Sequence, residues 1–536
     1  MSNSRGNILW VDDEIEHLKP HILFLEEKGY SLSQASNGQD AIELCKANNY
    51  HLILLDQSMP GMDGLETLSE IKKNRSSQLI IMITKTEDEW LMDEAMSGQV
   101  EQFLIKPVNP NQIFMACKQA LEFDKLREKK VTSEYLREFQ EIDELMNQDL
   151  NADDWWKLYD RLVNWQIKFD TYRDTGLSNV LDDQIKTCNK EFSNFVEDHY
   201  RTWMTNNARP LLPNDIFNNY IKPNLRNGNR ICLLVLDCMR YDHFKAMMPL
   251  LETLFTIDLK YCLSLIPTAT PYSRNAIFCG MFPDEMVSNY SEQESDMKSD
   301  ATSLNQHEEQ FLIDQMKRAG LNNKSIHYHK IWAVEEGKKF EKRIKDYANK
   351  DLVSIVVNFV DQLAHRRSES DVLKEMVPDE AGYRQAVRSW YKKSWIRQVL
   401  HELSNEGFNV IITSDHGSIM VNDSAVVAAD KNSSSGIRYK YGININSSEK
   451  KAIDIRNLKD YRLPILEKRT NYLIAKDNFF FLYPNDQRKY KKLLENSFQH
   501  GGISIEEMLI PIFTMKPKLI NTHLNHLKKL KNLHLN

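Results

Sequence analysis

Long apolar runs are missing from this 536-residue chain, and none approaches the ~18 residues of a membrane helix, so no membrane span is expected. The opening MSNSRGNILWVDDE has no basic region followed by an apolar stretch, and no signal peptide is expected. Cysteine is scarce: Cys45, Cys117, Cys188, Cys232, Cys238, Cys262 and Cys279 form no CxxC pair and are odd in number. That argues against a disulfide scaffold or a zinc ribbon, and the chain reads as cytoplasmic. Glycine and proline are also few, 18 and 16, and with 41% apolar and 27% charged residues they argue against disorder over most of the length. Excess positive charge is absent too. The 69 basic residues fall short of the 76 acidic ones, for a net charge of −7. A surface that grips nucleic acid everywhere is thereby excluded, while a local basic patch is not. At about 150 residues per domain, three or four domains fit the length.

Residues 1–122 alternate short apolar runs with amphipathic ones. Strands are expected at Asn7–Val11, Tyr30–Ala35, His51–Leu55, Leu79–Ile83 and Gln102–Ile105. Helices are expected near Glu16–Lys28, Gly38–Ala47, Gly64–Lys72, Glu87–Met96 and Asn111–Glu122. This βα repetition predicts a flavodoxin-like, five-stranded parallel sheet with polar chemistry at the carboxyl ends of its strands. Asp12 and Asp13 close the first strand, Asp56 the third, Thr84 the fourth and Lys106 the fifth. Three carboxylates at one edge repel one another, and a hard cation such as Mg²⁺ relieves that cost. Lys106 and Thr84 offer a positive charge and a hydroxyl to an incoming phosphoryl group, and Asp56 is placed as its nucleophile.

This ordered set resembles the receiver domain of two-component response regulators. The resemblance implies phosphorylation of Asp56 by a histidine kinase, Mg²⁺ held by Asp13 and Asp56 with Asp12 nearby, and switching through Thr84, with Phe103 at the aromatic switch position. A flavodoxin-like domain that keeps these residues without phosphorylation is the competing reading.

Residues 123–205 turn charged and aromatic, with apolar positions at helical spacing: Tyr135, Phe139, Ile142, Met146; Trp155, Tyr159, Leu162; Leu177 through Trp203. Asn151 to Asp154 offers caps for the second helix, and Thr175-Gly176 separates it from the third. A helical-bundle connector without chemistry of its own is expected.

From residue 206 to 516 the α/β alternation returns. Ile231–Leu236, Val353–Val360 and Val410–Ser414 are each followed by an aspartate: Asp237, Asp361 and Asp415. In one parallel sheet these carboxylates crowd a single edge, which is costly unless cations are bound. Asp361 and His365 are four residues apart, His416 follows Asp415, and His500 arrives in FQHGGIS. Carboxylate with imidazole suits Zn²⁺, with Mn²⁺ the weaker competitor. Between the first and second aspartates, Pro267-Thr268-Ala269-Thr270-Pro271 precedes a helical stretch from Tyr272 to Cys279. A threonine at a helix N-terminus sits beside amides that favour phosphate, and a bound metal would make its oxygen a nucleophile.

The segments PTATPYSRNAIFCGMFPDE, VVNFVDQLAH, TSDHGS and FQHGG together resemble the PglZ branch of the alkaline phosphatase superfamily, over about Arg230 to Met515. The resemblance implies an alkaline-phosphatase-like α/β domain with two zinc ions. One would be held by Asp361, His365 and His500, the other by Asp237, Asp415 and His416, with Thr270 as nucleophile and Thr268 its rival. Arg274, one helical turn beyond Thr270, could face a phosphate, and Asn289 lies near an oxyanion-contacting position of related enzymes. Two polar insertions, Ser291–Gln310 and Lys431–Lys451, read as solvated loops. The second holds Arg438 and Lys440 around Tyr439, a basic–aromatic pattern that could hold a phosphodiester backbone. The basic 517–536 tail ends in LKKLKNLHLN and is expected to fray.

Receiver, connector and PglZ-type lobe in this order resemble PorX-type response regulators. That resemblance implies control of the type IX secretion system through a sensor histidine kinase and an extracytoplasmic-function sigma factor. It also implies phosphorylation-promoted homodimers and hydrolysis of linear or cyclic oligonucleotide phosphodiesters. No recognition helix or zinc-finger spacing is present in the sequence, so the output is read as chemistry or protein contact. Two other classes compete: a signalling scaffold with a structural zinc site, and a nucleotide-binding module without turnover.

Overall fold

The computed structural model describes residues 5–75, 78–85, 100–171, 176–206, 208–290, 305–428, 434, 436–447, 450–483 and 487–518, side chains at 122–129, 171 and 489 excepted. The helix expected at 87–96, most of the 291–310 insertion, part of the 431–451 insertion and the end of the basic tail lie outside them.

The N-terminal sheet contains β1 (Gly6–Val11), β2 (Tyr30–Ala35), β3 (Leu52–Asp56), β4 (Ile80–Thr84) and β5 (Gln102–Ile105), in the order β2-β1-β3-β4-β5 and all parallel. The central strands are continuous Ile, Leu and Val runs buried on both faces, as helices above and below require. Around them lie α1 (Lys19–Glu27), α2 (Gly38–Ala47) and α3 (Gly64–Asn74). Asn37 and Asp63 cap α2 and α3, accepting from the Asp40 and Glu66 amides at 2.9 and 2.8 Å. Gly64 has to be glycine. A Cβ there would stand 2.4 Å from the Asp56 carbonyl oxygen and 2.6 Å from the Gln57 Cα.

Beyond the sheet run α4 (Pro110–Met146), α5 (Ala152–Thr171) and α6 (Leu177–Thr205). The expected boundary at 122/123 falls inside α4, whose 37 residues form one helix. The chain divides into two compact units, residues 1–144 with 168–180, and 145–167 with 181–536. Residues of the helical segment are thus divided between the two units. Within the second unit α5 and α6 are packed by aromatics. Trp155 and Phe192 meet edge-on at 5.3 Å, and Trp156 stacks on Tyr261 at 5.0 Å.

The second unit is built on a six-stranded sheet of β6 (Ile231–Leu236), β7 (Phe255–Leu263), β8 (Ile326–Ile331), β9 (Leu352–Val357), β10 (Asn409–Thr413) and β11 (Leu509–Pro517). Its order is β7-β11-β10-β6-β9-β8; β10, β6, β9 and β8 are parallel, and β11 runs antiparallel to both its neighbours. One strand differs from expectation. The apolar run Val353–Val360 stops being a strand at Val357, and Asp361 stands in the first turn of a helix, α9 in chain order after α7 (Thr270–Cys279) and α8 (Glu308–Arg318), spanning Phe359–Glu369. Val360 prolongs the apolar run because the helix buries it, and an apolar run alone does not separate the two cases.

Candidate functional site

In the first unit, Asp12 and Asp56 are buried on either side of the Lys106 ammonium, which lies 2.9 Å from Asp12 Oδ2 and 3.0 Å from Asp56 Oδ1. Asp13 is exposed, and one oxygen from each of Asp12, Asp13 and Asp56 falls within 4.8 Å of the others. Burial, helped by the Asp12 charge and opposed by Lys106, pushes the Asp56 carboxyl above its ordinary value. Burial works against the Lys106 charge, but its hydrogen bonds to Asp12 and Asp56 outweigh it and raise its pKa. Asp56 Oδ2 is buried without a hydrogen-bond partner, as suits an oxygen awaiting a cation or a phosphoryl group. Thr84, at the end of β4, hydrogen-bonds the Gln57 side chain, and Phe103 is half-buried against the apolar layer around Ile53 and Met82.

In the second unit two ligand triads form at the carboxyl edge of the sheet, Asp237–Asp415–His416 and Asp361–His365–His500, each with ligand atoms within 4.8 Å. Strand ends deliver the aspartates of the first. Ser414 Oγ donates to the Leu236 carbonyl (2.7 Å) and accepts from Met239 N (2.9 Å), tying β10 to β6. Cys238 turns with φ +62°, a strained value for a residue with a side chain, and its amide lies 3.2 Å from Asp415 Oδ1. His500 follows the strand Ser497–Gln499, whose pairing of Gln499 with Ile419 brings it back beside His416. The His416 and His500 rings stack at 4.3 Å, joining the triads, and Thr270 Oγ1 lies 3.2 Å from His416 Nε2.

The donor set fits cations. Asp237 gives one oxygen, Oδ2, to Arg274 (2.5 Å) and Asn358 (2.6 Å), while Oδ1 is buried without a hydrogen-bond partner and faces His416 Nε2 at 4.0 Å. Asp415 behaves alike: Oδ1 takes backbone amides, and Oδ2, without a hydrogen-bond partner, lies 3.6 Å from His416 Nε2 and 4.0 Å from Arg274 Nη1. His416 and His500 each place Nδ1 on a carbonyl, of Gly417 (3.1 Å) and Thr268 (3.2 Å), leaving Nε2 to coordinate. Asp361 Oδ1 lies 3.2 Å from His365 Nε2 and 3.8 Å from His500 Nε2. Burial raises Asp237 well above the carboxylate range, with Asp415 and Asp361 adding to it. Burial and the neighbouring His416 lower His500 to about 3. The crowded, buried Asp237 thus favours taking up a cation or a proton, and His500 is neutral with its ring nitrogen lone pair available.

The two threonines separate clearly. Thr268 is fully buried, donating to the Gly502 carbonyl (2.7 Å) and accepting from the Gly501 amide (3.0 Å). Thr270, at the start of α7, is the one whose hydroxyl stands at the triads.

Of the four expected substrate contacts, three are buried on partners within the lobe and the fourth is exposed. Arg274 points inward from α7 and is wholly buried, its guanidinium taken by Asp237 and, at 2.5 Å, by Glu308. Asn289 is exposed, and its amide donates to its own helix at the Glu285 carbonyl (2.8 Å). Arg438 is fully buried and forks onto Glu507 at 2.9 and 2.8 Å, with further bonds to the Asp477 and Phe479 carbonyls. Lys440 is buried, donating to the Ser434 and Gly436 carbonyls at 3.1 and 2.9 Å. The basic–aromatic segment therefore braces the lobe and presents neither cation to a nucleic acid. Sequence reasoning also missed Asn358, Glu308 and Glu507. Asn358 stood inside VVNFVDQLAH beside a candidate ligand, a usable signal. Glu308 belongs to an insertion read as solvated, yet it is fully buried on Arg274 and Tyr328.

Comparison with known proteins follows the same division. Residues 8–118 match the response regulator receiver domain, 125–204 the PorX response regulator linker domain, and 216–515 the BREX system PglZ alkaline phosphatase-like domain. Fold and site thus define a two-component regulator with a hydrolase-like output. The chain belongs to the PglZ alkaline phosphatase-like family and, with receiver and PorX linker ahead of that domain, is a PorX-type regulator. The transcriptional regulatory protein SrrA of Staphylococcus aureus is 33% identical over 121 residues, 23% of this chain and 48% of SrrA. The chain thus spans about half the length of the curated relatives it matches. Among solved structures, a CheY-like receiver domain protein from Methanospirillum hungatei is 26% identical, covering 23% of this chain and 97% of its own, with TM-score 0.22. TrrA from Thermotoga maritima, in complex with Mg²⁺ and BeF, is 31% identical, covering 21% and 97%, with TM-score 0.20. A receiver domain implies a cognate kinase and binds Mg²⁺, and alkaline phosphatase-like domains are typically metal-dependent. Among the described residues no helix is long and apolar enough to cross a membrane.

Proposed function

We propose that this chain is a cytoplasmic response regulator, phosphorylated on Asp56, whose output is a zinc-dependent phosphodiesterase acting on linear or cyclic oligonucleotides. In this reading a sensor histidine kinase supplies the phosphoryl group, and phosphorylated chains form homodimers. The regulator acts on type IX secretion together with an extracytoplasmic-function sigma factor. Mg²⁺ belongs to Asp12, Asp13 and Asp56.

The observation that carries the hydrolase reading is the meeting of the two triads at one hydroxyl, Thr270 Oγ1, 3.2 Å from His416 Nε2. Asp361, His365 and His500 would hold one zinc ion, and Asp237, Asp415 and His416 the other. Bound there, the pair supplies Lewis acidity and charge neutralisation for phosphoryl transfer. Thr270 Oγ1 attacks phosphorus and loses its proton, the bond to the leaving alcohol oxygen breaks, and that oxygen takes up a proton. Water then cleaves the threonine phosphate ester, restoring the hydroxyl. Asn358 and Arg274 keep Asp237 turned toward the site throughout, and the Thr268 bonds to Gly501 and Gly502 hold the nucleophile segment against the His500 loop.

The test pairs metal analysis of the full chain with a screen of phosphodiesters against monoesters, for wild type and Thr270→Ala. Two zinc ions per chain and diester hydrolysis, lost by a factor of at least a hundred in Thr270→Ala with zinc and fold retained, are expected. Wild-type protein that binds zinc and turns over neither ester would leave a scaffold. Tight nucleotide binding without product, checked by mass spectrometry, would leave a binding module.

A further inference from the structure

On α6, Asn189, Ser193 and Tyr200 are buried, and each hydrogen-bonds a backbone segment of the candidate site. Asn189 Oδ1 accepts from the Ile505 amide at 2.7 Å, and its Nδ2 lies 3.0 and 3.2 Å from the two Glu506 oxygens. Ser193 Oγ shares its proton between the Asn189 carbonyl of its own helix (2.8 Å) and the Ile503 carbonyl (3.0 Å), and accepts from the Asp477 amide at 3.0 Å. Tyr200 Oη accepts from the Ile266 amide at 3.1 Å. Spacings of four and seven place the three residues on one stripe of the helix.

The two segments so held are the arms of the site. Ile266 stands four residues before Thr270, and Ile503 to Glu506 directly follow His500 and its two glycines. The arms are bonded to each other through Thr268, whose hydroxyl bridges to Gly501 and Gly502 and whose carbonyl meets His500 Nδ1 at 3.2 Å. A shift of α6 would therefore move nucleophile and ligand together. The same helix starts at Leu177 among residues of the first compact unit and continues into the second.

We propose that Asn189, Ser193 and Tyr200 are positioning residues, through which α6 sets the placement of His500 and of the Thr270 segment and so regulates metal affinity and turnover. This rests on the zinc phosphodiesterase reading, and the burial of all three polar side chains supports it. A packing role alone would be served as well by apolar residues, without the cost of burying donors and acceptors.

The experiment compares full-length wild type, Ser193→Ala, Ser193→Thr and Tyr200→Phe by hydrogen–deuterium exchange and by zinc affinity in chelator competition. In Ser193→Ala, amides 501–506 should exchange about tenfold faster and the weaker zinc should dissociate about tenfold more readily. Ser193→Thr, which keeps the hydroxyl, should restore both. In Tyr200→Phe the Ile266 amide should lose protection and kcat should fall with KM unchanged. Unaltered exchange in both segments overturns the proposal, as does faster exchange with zinc affinity and kcat at wild-type values. If wild-type protein binds no zinc, the phosphodiesterase reading fails; if it binds zinc and turns over substrate while neither affinity nor kcat follows the faster exchange, only the positioning claim fails.

Discussion

At the scale of single residues, the candidate site divides Asp237 and Asp415 each into a held oxygen and an open one. Asp237 is the clearest case, since Arg274 and Asn358 occupy Oδ2 and leave Oδ1 toward His416. Asn358→Ala removes one holder without removing a ligand. Zinc affinity should fall 10- to 100-fold while far-UV circular dichroism stays unchanged, as chelator competition would measure. An unaltered affinity would mean that Arg274 suffices. The two triads were legible as a cluster because aspartate at the end of an apolar run is costly without a purpose. Arg438 and Lys440 misled for the opposite reason. A basic–aromatic pattern reads as a binding surface until its partner is known, and Glu507 comes from 69 residues away along the chain.

At the scale of elements, local pattern located strands and helices well and their ends less well. All five expected strands of the first sheet form: β1, β3 and β4 are short apolar runs closed by polar residues, while β2 (YSLSQA) and β5 (QFLI) are more polar and only partly buried. The Val353–Val360 run was read as strand throughout because a buried helical turn supplies the same letters. Glu506 gives an element-scale prediction. It lies in the short helix Ile505–Met508 with Asn189 on its oxygens, and burial, only partly offset by Arg240, raises its carboxyl from 4.5 to about 7. Because the folded state holds the proton more tightly, the stabilisation is complete below pH 4.5 and declines as pH rises to about 7, then levels off. Glu506→Gln cannot lose that proton. It should match wild type near pH 4.5 and exceed it above pH 7 by about 3 kcal/mol at most, on order-of-magnitude linkage. Urea unfolding at both pH values checks this, and equal differences at both would refute it.

At the scale of the whole molecule, sequence order alone specified receiver, connector and phosphatase-like lobe, but not how the connector is apportioned. Helical periodicity marks α4, α5 and α6 without saying which body each packs against, and long-range partners such as Asn189 with Glu506 decide that. The proposed dimerisation is tested at this scale. The receiver leaves apolar side chains exposed on its last strand and the helix after it, Ile105 at 38% and Met115 at 58%. Ile105 is the chain neighbour of Lys106, which pairs with Asp56, and exposed apolar groups of this kind are suited to the contact that the proposed phosphorylation would turn on. A phosphoryl mimic should therefore convert wild-type chains to dimers in light scattering and change phosphodiester turnover, in either direction. Asp56→Ala should show neither response, and Met115→Glu should bind the mimic yet stay monomeric. If Met115→Glu keeps the turnover response as a monomer, the signal runs within one chain and α6 becomes its route. If it loses the response with the dimer, assembly is the switch, and the helix only holds what assembly has set.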